Sequence, residues 1–191
     1  MKNSTATWIK IIGDTAIPLL GFFLWDWTIY FIALFLLLDL TASETGFLLK
    51  FRLMLHTKKW TPSKTPLFSS LLTVFAIALA FAGLFVLFPD KQLTNEIHEF
   101  IFYEDMGIAQ GYILIPLIGI MAFQELKLFK RQSEMLVIDQ AQFCKKHLQQ
   151  RAILCVLLAI GLAVSFFQPT ELIVLSFLLI SMAVVQRLFR G

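Results

Sequence analysis

Charge is what this sequence has least of. Only 15% of its 191 residues are Asp, Glu, Lys or Arg, against roughly 25% in an ordinary globular domain, so the chain cannot cover a water-facing surface of normal polarity. Cysteine is almost missing too. Cys144 and Cys155 stand eleven residues apart with no CxxC spacing, which leaves no disulfide framework and little support for zinc or redox chemistry. There is no glycine-rich phosphate loop, no GxSxG elbow, no HExxH and no Ser–Lys pairing at a recognisable spacing. No catalytic residue, metal site or cofactor is therefore expected.

What takes the place of charge is apolar. Hydrophobic residues make up 58% of the chain, twenty of them phenylalanine, and the mean hydropathy is +0.78. A helix needs about 20 mostly apolar residues to cross a bilayer. The expected fold is all-α, a polytopic membrane helix bundle forming one integral membrane domain over 1–191. Its spans fall near 8–25, 27–49, 67–88, 108–124, 152–167 and 172–189. Leu67–Phe88 is the clearest, free of charge and closed by Pro89. The first is the weakest, because Lys10, Gly13, Asp14 and Pro18 leave an unbroken apolar part, Ala16–Trp25, of only ten residues. The opening Met1-Lys2-Asn3-Ser4-Thr5 leads into this run with no clear small-residue cleavage site, so the run is read as a retained helix.

Charge asymmetry orients the spans. Lys50, Arg52, Lys58, Lys59 and Lys64 lie in 50–66 without an acid, and 125–151 carries six basic residues against three acids. Between them, 89–107 holds Asp90, Glu96, Glu99, Glu104 and Asp105 against Lys91 alone. The positive-inside rule puts 50–66, 125–151 and both termini in the cytoplasm, an N-in/C-in topology. Fifteen of the sixteen basic residues then share one side. Trp25, Trp27 and Tyr30 would belong to the external aromatic belt, Trp8 and Trp60 to the internal one. Two connectors read as short amphipathic interfacial helices: Leu93, Ile97, Phe100 and Ile101 outside, and Val137, Ala141, Cys144 and Leu148 inside.

Ionisable residues within spans are costly and mark sites. If the first two helices turn at Asp26, Asp14 lies twelve residues before the turn and Asp39 thirteen after it. At 1.5 Å per residue both sit roughly 18–20 Å below the external surface. Lys10 and Glu44 lie about a turn or more deeper, so Lys10, Asp14, Asp39 and Glu44 form the candidate intramembrane polar cluster, with Thr41, Ser43 and Thr45 adding hydroxyls. It reads either as a proton or cation relay or as a structural ion pair, with Glu44 snorkelling to the cytoplasmic surface. Pro18 and Pro116 are the helix-kink candidates. The strings Ile17-Pro18-Leu19-Leu20-Gly21 and Ile115-Pro116-Leu117-Ile118-Gly119 also raise an inverted repeat, although packing kinks explain them as well. His56 and His147 fall in cytoplasmic segments and His98 in the external one, so no two can meet within the bilayer.

The first hairpin carries a resemblance. Asp14-x-x-x-Pro18-Leu19-x-Gly21, then Trp27 and a long apolar run to Asp39, resembles a family of bacterial polytopic integral membrane proteins with an Asn-x-x-x-Pro-x-x-Gly element, a Trp at the turn and a late acidic residue. Asp14 takes the Asn position, and Leu36-Leu37-Leu38 replace the aromatic residues that precede the acid. The likeness covers about the first 55 residues. It implies the hairpin topology and a bacterial inner-membrane location; that family has no assigned activity, so it adds no chemistry.

The sequence therefore leads to two expectations of different kind. One is a non-enzymatic scaffold or accessory subunit of a membrane complex, partnered by other membrane proteins or by its own copies. The other is a small proton- or ion-coupled transporter using the four-residue cluster. An intramembrane enzyme lacks a nucleophile and base in register. The basic segments suit anionic lipid beside the spans and not nucleic acid.

Overall fold

The computed structural model describes residues 16, 18–24, 27–57, 60–89, 93–102, 104–105, 108–109, 116, 119–120, 123–124, 126–131, 133, 138–167 and 170–189. Five helices are bounded within them: α1 Ile29–His56, α2 Thr65–Leu87, α3 Leu93–Phe102, α4 Gln140–Phe167 and α5 Glu171–Phe189. Residues 18–24 and 126–131 are helical as well. One two-residue antiparallel ladder, β1 Glu104–Asp105 with β2 Ile108–Ala109, is the exception to an all-helical fold.

Local chemistry sets the helix ends. Thr28 caps α1, its hydroxyl accepting the Phe31 N–H at 3.1 Å and satisfying a donor that the first turn leaves orphaned. Pro66 sits at the start of α2, where its missing N–H costs nothing. Asp139 caps α4 through both carboxylate oxygens, which accept from the N–H groups of Ala141 and Gln142. At the far end of α2 the Phe88 carbonyl accepts from the Tyr30 hydroxyl at 3.2 Å, so α1 satisfies a polar group that Pro89 would otherwise strand. Before α1, the Trp27 N–H donates to the Gly21 carbonyl. The Trp27 indole lies over Gly21 so closely that a Cβ there would overlap it.

α1 runs antiparallel to α2, while α2 and α4 run parallel, Leu72 beside Cys155 and Gly83 beside Leu162, and the cores stack in layers. Ile29, Tyr30, Ile32 and Leu36 of α1 meet Leu84 of α2 and Val174, Leu175 and Leu179 of α5. Next, Leu40 meets Ala76, Leu154, Cys155 and Leu158. The last layer is aromatic, with Phe47, Phe51, Met54, Trp60, Phe129 and Cys144. Small residues let the helices close: Gly83 receives Leu162, and Gly161 receives Phe177. Such contacts carry weight in a bilayer, where apolar surface gains little from leaving lipid. Two apolar cavities remain, of about 20 and 30 Å³, both lined by Ala80, Leu158 and Leu178.

Among the described residues three helices, α1, α2 and α4, are long and apolar enough to cross a membrane. They coincide with the expected spans at 27–49, 67–88 and 152–167, and α5 covers 171–189. α1 carries on past Asp39 and Glu44 to His56. Two expectations need correction. The inner connector is not a separate interfacial helix: Asp139 caps it, Gly161 is the first glycine after that cap, and it continues unbroken into the span as α4. The stretch 108–124 does not start as helix, since Ile108 and Ala109 belong to β2, and much of its remainder lies outside the described residues. The outer connector is helical, as α3, with Phe100 buried edge-on against Phe31, though Ile97 is exposed.

A buried carboxylate brace as the candidate functional site

Glu44 sits in the middle of α1 with only 6% of its surface exposed. Lone burial of an ionised carboxylate would cost several kcal/mol, so its partners decide whether the position is tolerable. Five donors surround it, all from two other helices. From α2, Ser69 Oγ and Thr73 Oγ1 donate to Oε2 at 3.1 and 3.0 Å, and Ser70 Oγ donates to Oε1 at 3.2 Å. From α4, Arg151 Nε donates to Oε2 at 3.1 Å, and His147 Nε2 lies 3.0 Å from the same oxygen. An ionised carboxylate only accepts, so the His147 proton on that side resides on Nε2.

Helical spacing brings these groups together. Ser69 and Thr73 are four residues apart, as are His147 and Arg151, and each pair shares one helix face. Arg151, 4% exposed, sends its Nη2 on to Ser43 Oγ at 3.0 Å. His147 is clamped flat on Phe47, ring centroids 3.8 Å apart and planes 9° from parallel. One turn further along α4, the Cys155 thiol donates to the Leu72 carbonyl at 3.4 Å. Four of the five donors crowd onto Oε2, and Ser70 alone of the five reaches Oε1. With Arg151 as its counter-charge, the carboxylate is a joint across α1, α2 and α4.

Of the sequence-derived cluster, Glu44 alone is placed in this joint. Asp39 is exposed on α1, close enough to Arg151 for their charges to act on one another. Lys10 and Asp14 lie outside the described residues. Glu44 does not snorkel; it is sealed in. Thr41 and Thr45 do not line it, because each hydroxyl bonds back to a carbonyl of its own helix. Pro18 is buried at the start of the helical residues 18–24, while Pro116 is exposed. Arg151 and His147 are the residues that sequence reasoning misses, because they fall in 125–151, read as a cytoplasmic connector with an interfacial helix. The available signal was the spacing His147, Arg151, Cys155, a polar stripe at every fourth position leading directly into an apolar run.

Among the described residues, no three His, Cys, Asp or Glu side chains converge as metal ligands would. Compared with protein-family models, with curated proteins and with solved structures, the chain matches none of them.

Proposed function

We propose that this chain is a non-enzymatic scaffold or accessory subunit of a membrane complex, a multi-pass protein of the bacterial inner membrane with six spans and both termini cytoplasmic. The observation that carries the reading is the bracing of Glu44 by donors from two neighbouring helices. Five protein donors from α2 and α4 converge on the carboxylate, four of them on Oε2 and one on Oε1, which suits a fixed brace between helices. Neither apolar cavity holds more than about a water molecule or two. The outer faces of the helices are apolar instead: Phe68, Leu71, Phe75 and Phe85 of α2 and Val156 and Phe167 of α4 are all exposed, as a lipid-facing or partner-facing surface requires.

A stoichiometric membrane partner should co-purify after mild detergent extraction. A lone monodisperse species would count against the scaffold. The second reading, a proton- or ion-coupled transporter, draws on the contact between two titratable groups, His147 and Glu44, with Asp39 near Arg151. It requires that Asp39→Asn or Glu44→Gln abolish flux in proteoliposomes with the protein still folded, and unchanged flux would sink it.

A further inference from the structure

The two basic stretches, far apart in the sequence, meet at one end of the bundle. Trp60 Nε1 donates to the Ile138 carbonyl at 3.2 Å. Thr61 N–H donates to Gln140 Oε1 at 2.9 Å, and Gln140 Nε2 returns a bond to the Thr61 carbonyl at 2.6 Å. These bonds clasp the α1–α2 connection to the start of α4. Beneath them, Phe51, Trp60, Phe129 and Phe143 form a continuous aromatic base. The Lys50 ammonium lies 5.8 Å above the Phe129 ring, within range of a cation–π attraction.

The exposed residues of these two stretches include a set of cations. Arg52, Lys130, Arg131 and Lys145 are all exposed, and among the described residues none of the four forms an ion pair. Asp139, the acid described beside them, is engaged in capping α4. α3 lies at the opposite end of the molecule, Phe100 against Phe31.

We infer that the two stretches form one surface that binds the phosphate headgroups of anionic lipids, with the aromatic base at the hydrocarbon boundary and the four cations reaching the phosphates. The inference rests on the reading above that α1, α2 and α4 span a bilayer. Three observations favour lipid as the occupant. An indole anchored at a helix-bundle end has the amphipathic character of the membrane interface. Lys50, on a long stem above the Phe129 ring, can snorkel to headgroup level. Arg and Lys with no carboxylate partner among the described residues are the natural donors to a phosphodiester.

The test uses the full chain in mild detergent, offered phosphatidylglycerol and phosphatidylcholine in equal amounts, with retained lipid read by native mass spectrometry. Phosphatidylglycerol should dominate, and Lys130→Gln/Arg131→Gln/Lys145→Gln should cut its excess at least about fivefold without changing the thermal midpoint. Gln140→Ala, which loosens the clasp and removes no charge, should also reduce the excess. Equal retention of the two lipids would overturn the inference, as would a triple variant that retains as much as the parent. Displacement of the lipid by a short RNA at physiological salt would overturn it in favour of a nucleic-acid surface. Alkaline carbonate washing of membranes separates the two levels of the argument. A chain released by carbonate fails the membrane reading itself; one retained without headgroup preference fails only this inference.

Discussion

The two halves of the bundle are held by different physics. At the basic end, α1, α2 and α4 are joined by directional bonds on one carboxylate, and the connection before α2 is clasped to α4 through Trp60 and Gln140. At the Phe88 end, side chains of α1, α2 and α5 meet mainly through apolar contact beside the Tyr30–Phe88 hydrogen bond, with no buried charge among the described residues, and two small cavities persist beside Ala80. A directional joint specifies one register and tolerates little change. An apolar contact tolerates more change and specifies less. The chain thus has a keyed end and a compliant end.

Substitutions can break or sharpen that contrast. The largest effect is expected for Arg151→Ala, which leaves Glu44 buried without its cation and should cost about 3–5 kcal/mol, read as a collapse of the thermal midpoint in detergent. The pair Glu44→Gln with Arg151→Gln removes both charges and should be the milder variant; equal damage would mean that the charge pair is not what keys this end. Gly161→Val comes next. Its added atoms meet Phe177, and such overpacking costs typically about 1–3 kcal/mol. Because the compliant end can yield, a value near the lower figure is expected. Gln140→Ala breaks the clasp and should cost about 0.5–1.5 kcal/mol, with local hydrogen exchange rising at Thr61 before it rises elsewhere. Smallest is Ala80→Val, which puts methyl groups beside both cavities. Its effect should stay within about 1 kcal/mol in either direction, and a severe loss would show the compliant end to be as tightly keyed as the other.

This contrast also explains what could be read beforehand. α2 was legible to within two residues at its start, Thr65 against Leu67, because length, hydropathy and Pro89 all report on a single segment. The outer half of α4 was legible for the same reason. Its inner half was not, because Lys145, Lys146 and Arg151 lower the local hydropathy, and hydropathy cannot tell a cation facing water from one facing a buried acid. Glu44 was recognisable as an expensive residue at a depth where something had to neutralise it. Its partner was not recognisable, since periodicity assigns a residue to a helix face and says nothing of which helix that face meets. Arg151 lies 107 positions away, and the nearer cation Lys10 was the natural suggestion on spacing alone.

That long separation has a consequence in time. Ser69, Ser70 and Thr73 follow Glu44 by 25, 26 and 29 residues, whereas His147 and Arg151 follow it by 103 and 107. With synthesis at roughly 5–20 residues per second, the hydroxyls emerge roughly 4–16 s ahead of the guanidinium. During that interval the nascent α1–α2 hairpin carries an acid whose destined counter-charge has not been made, and three hydroxyls one helix away are the first groups of the finished joint to reach it. In the mature protein they look redundant beside the cation. In the order of manufacture they are its placeholders.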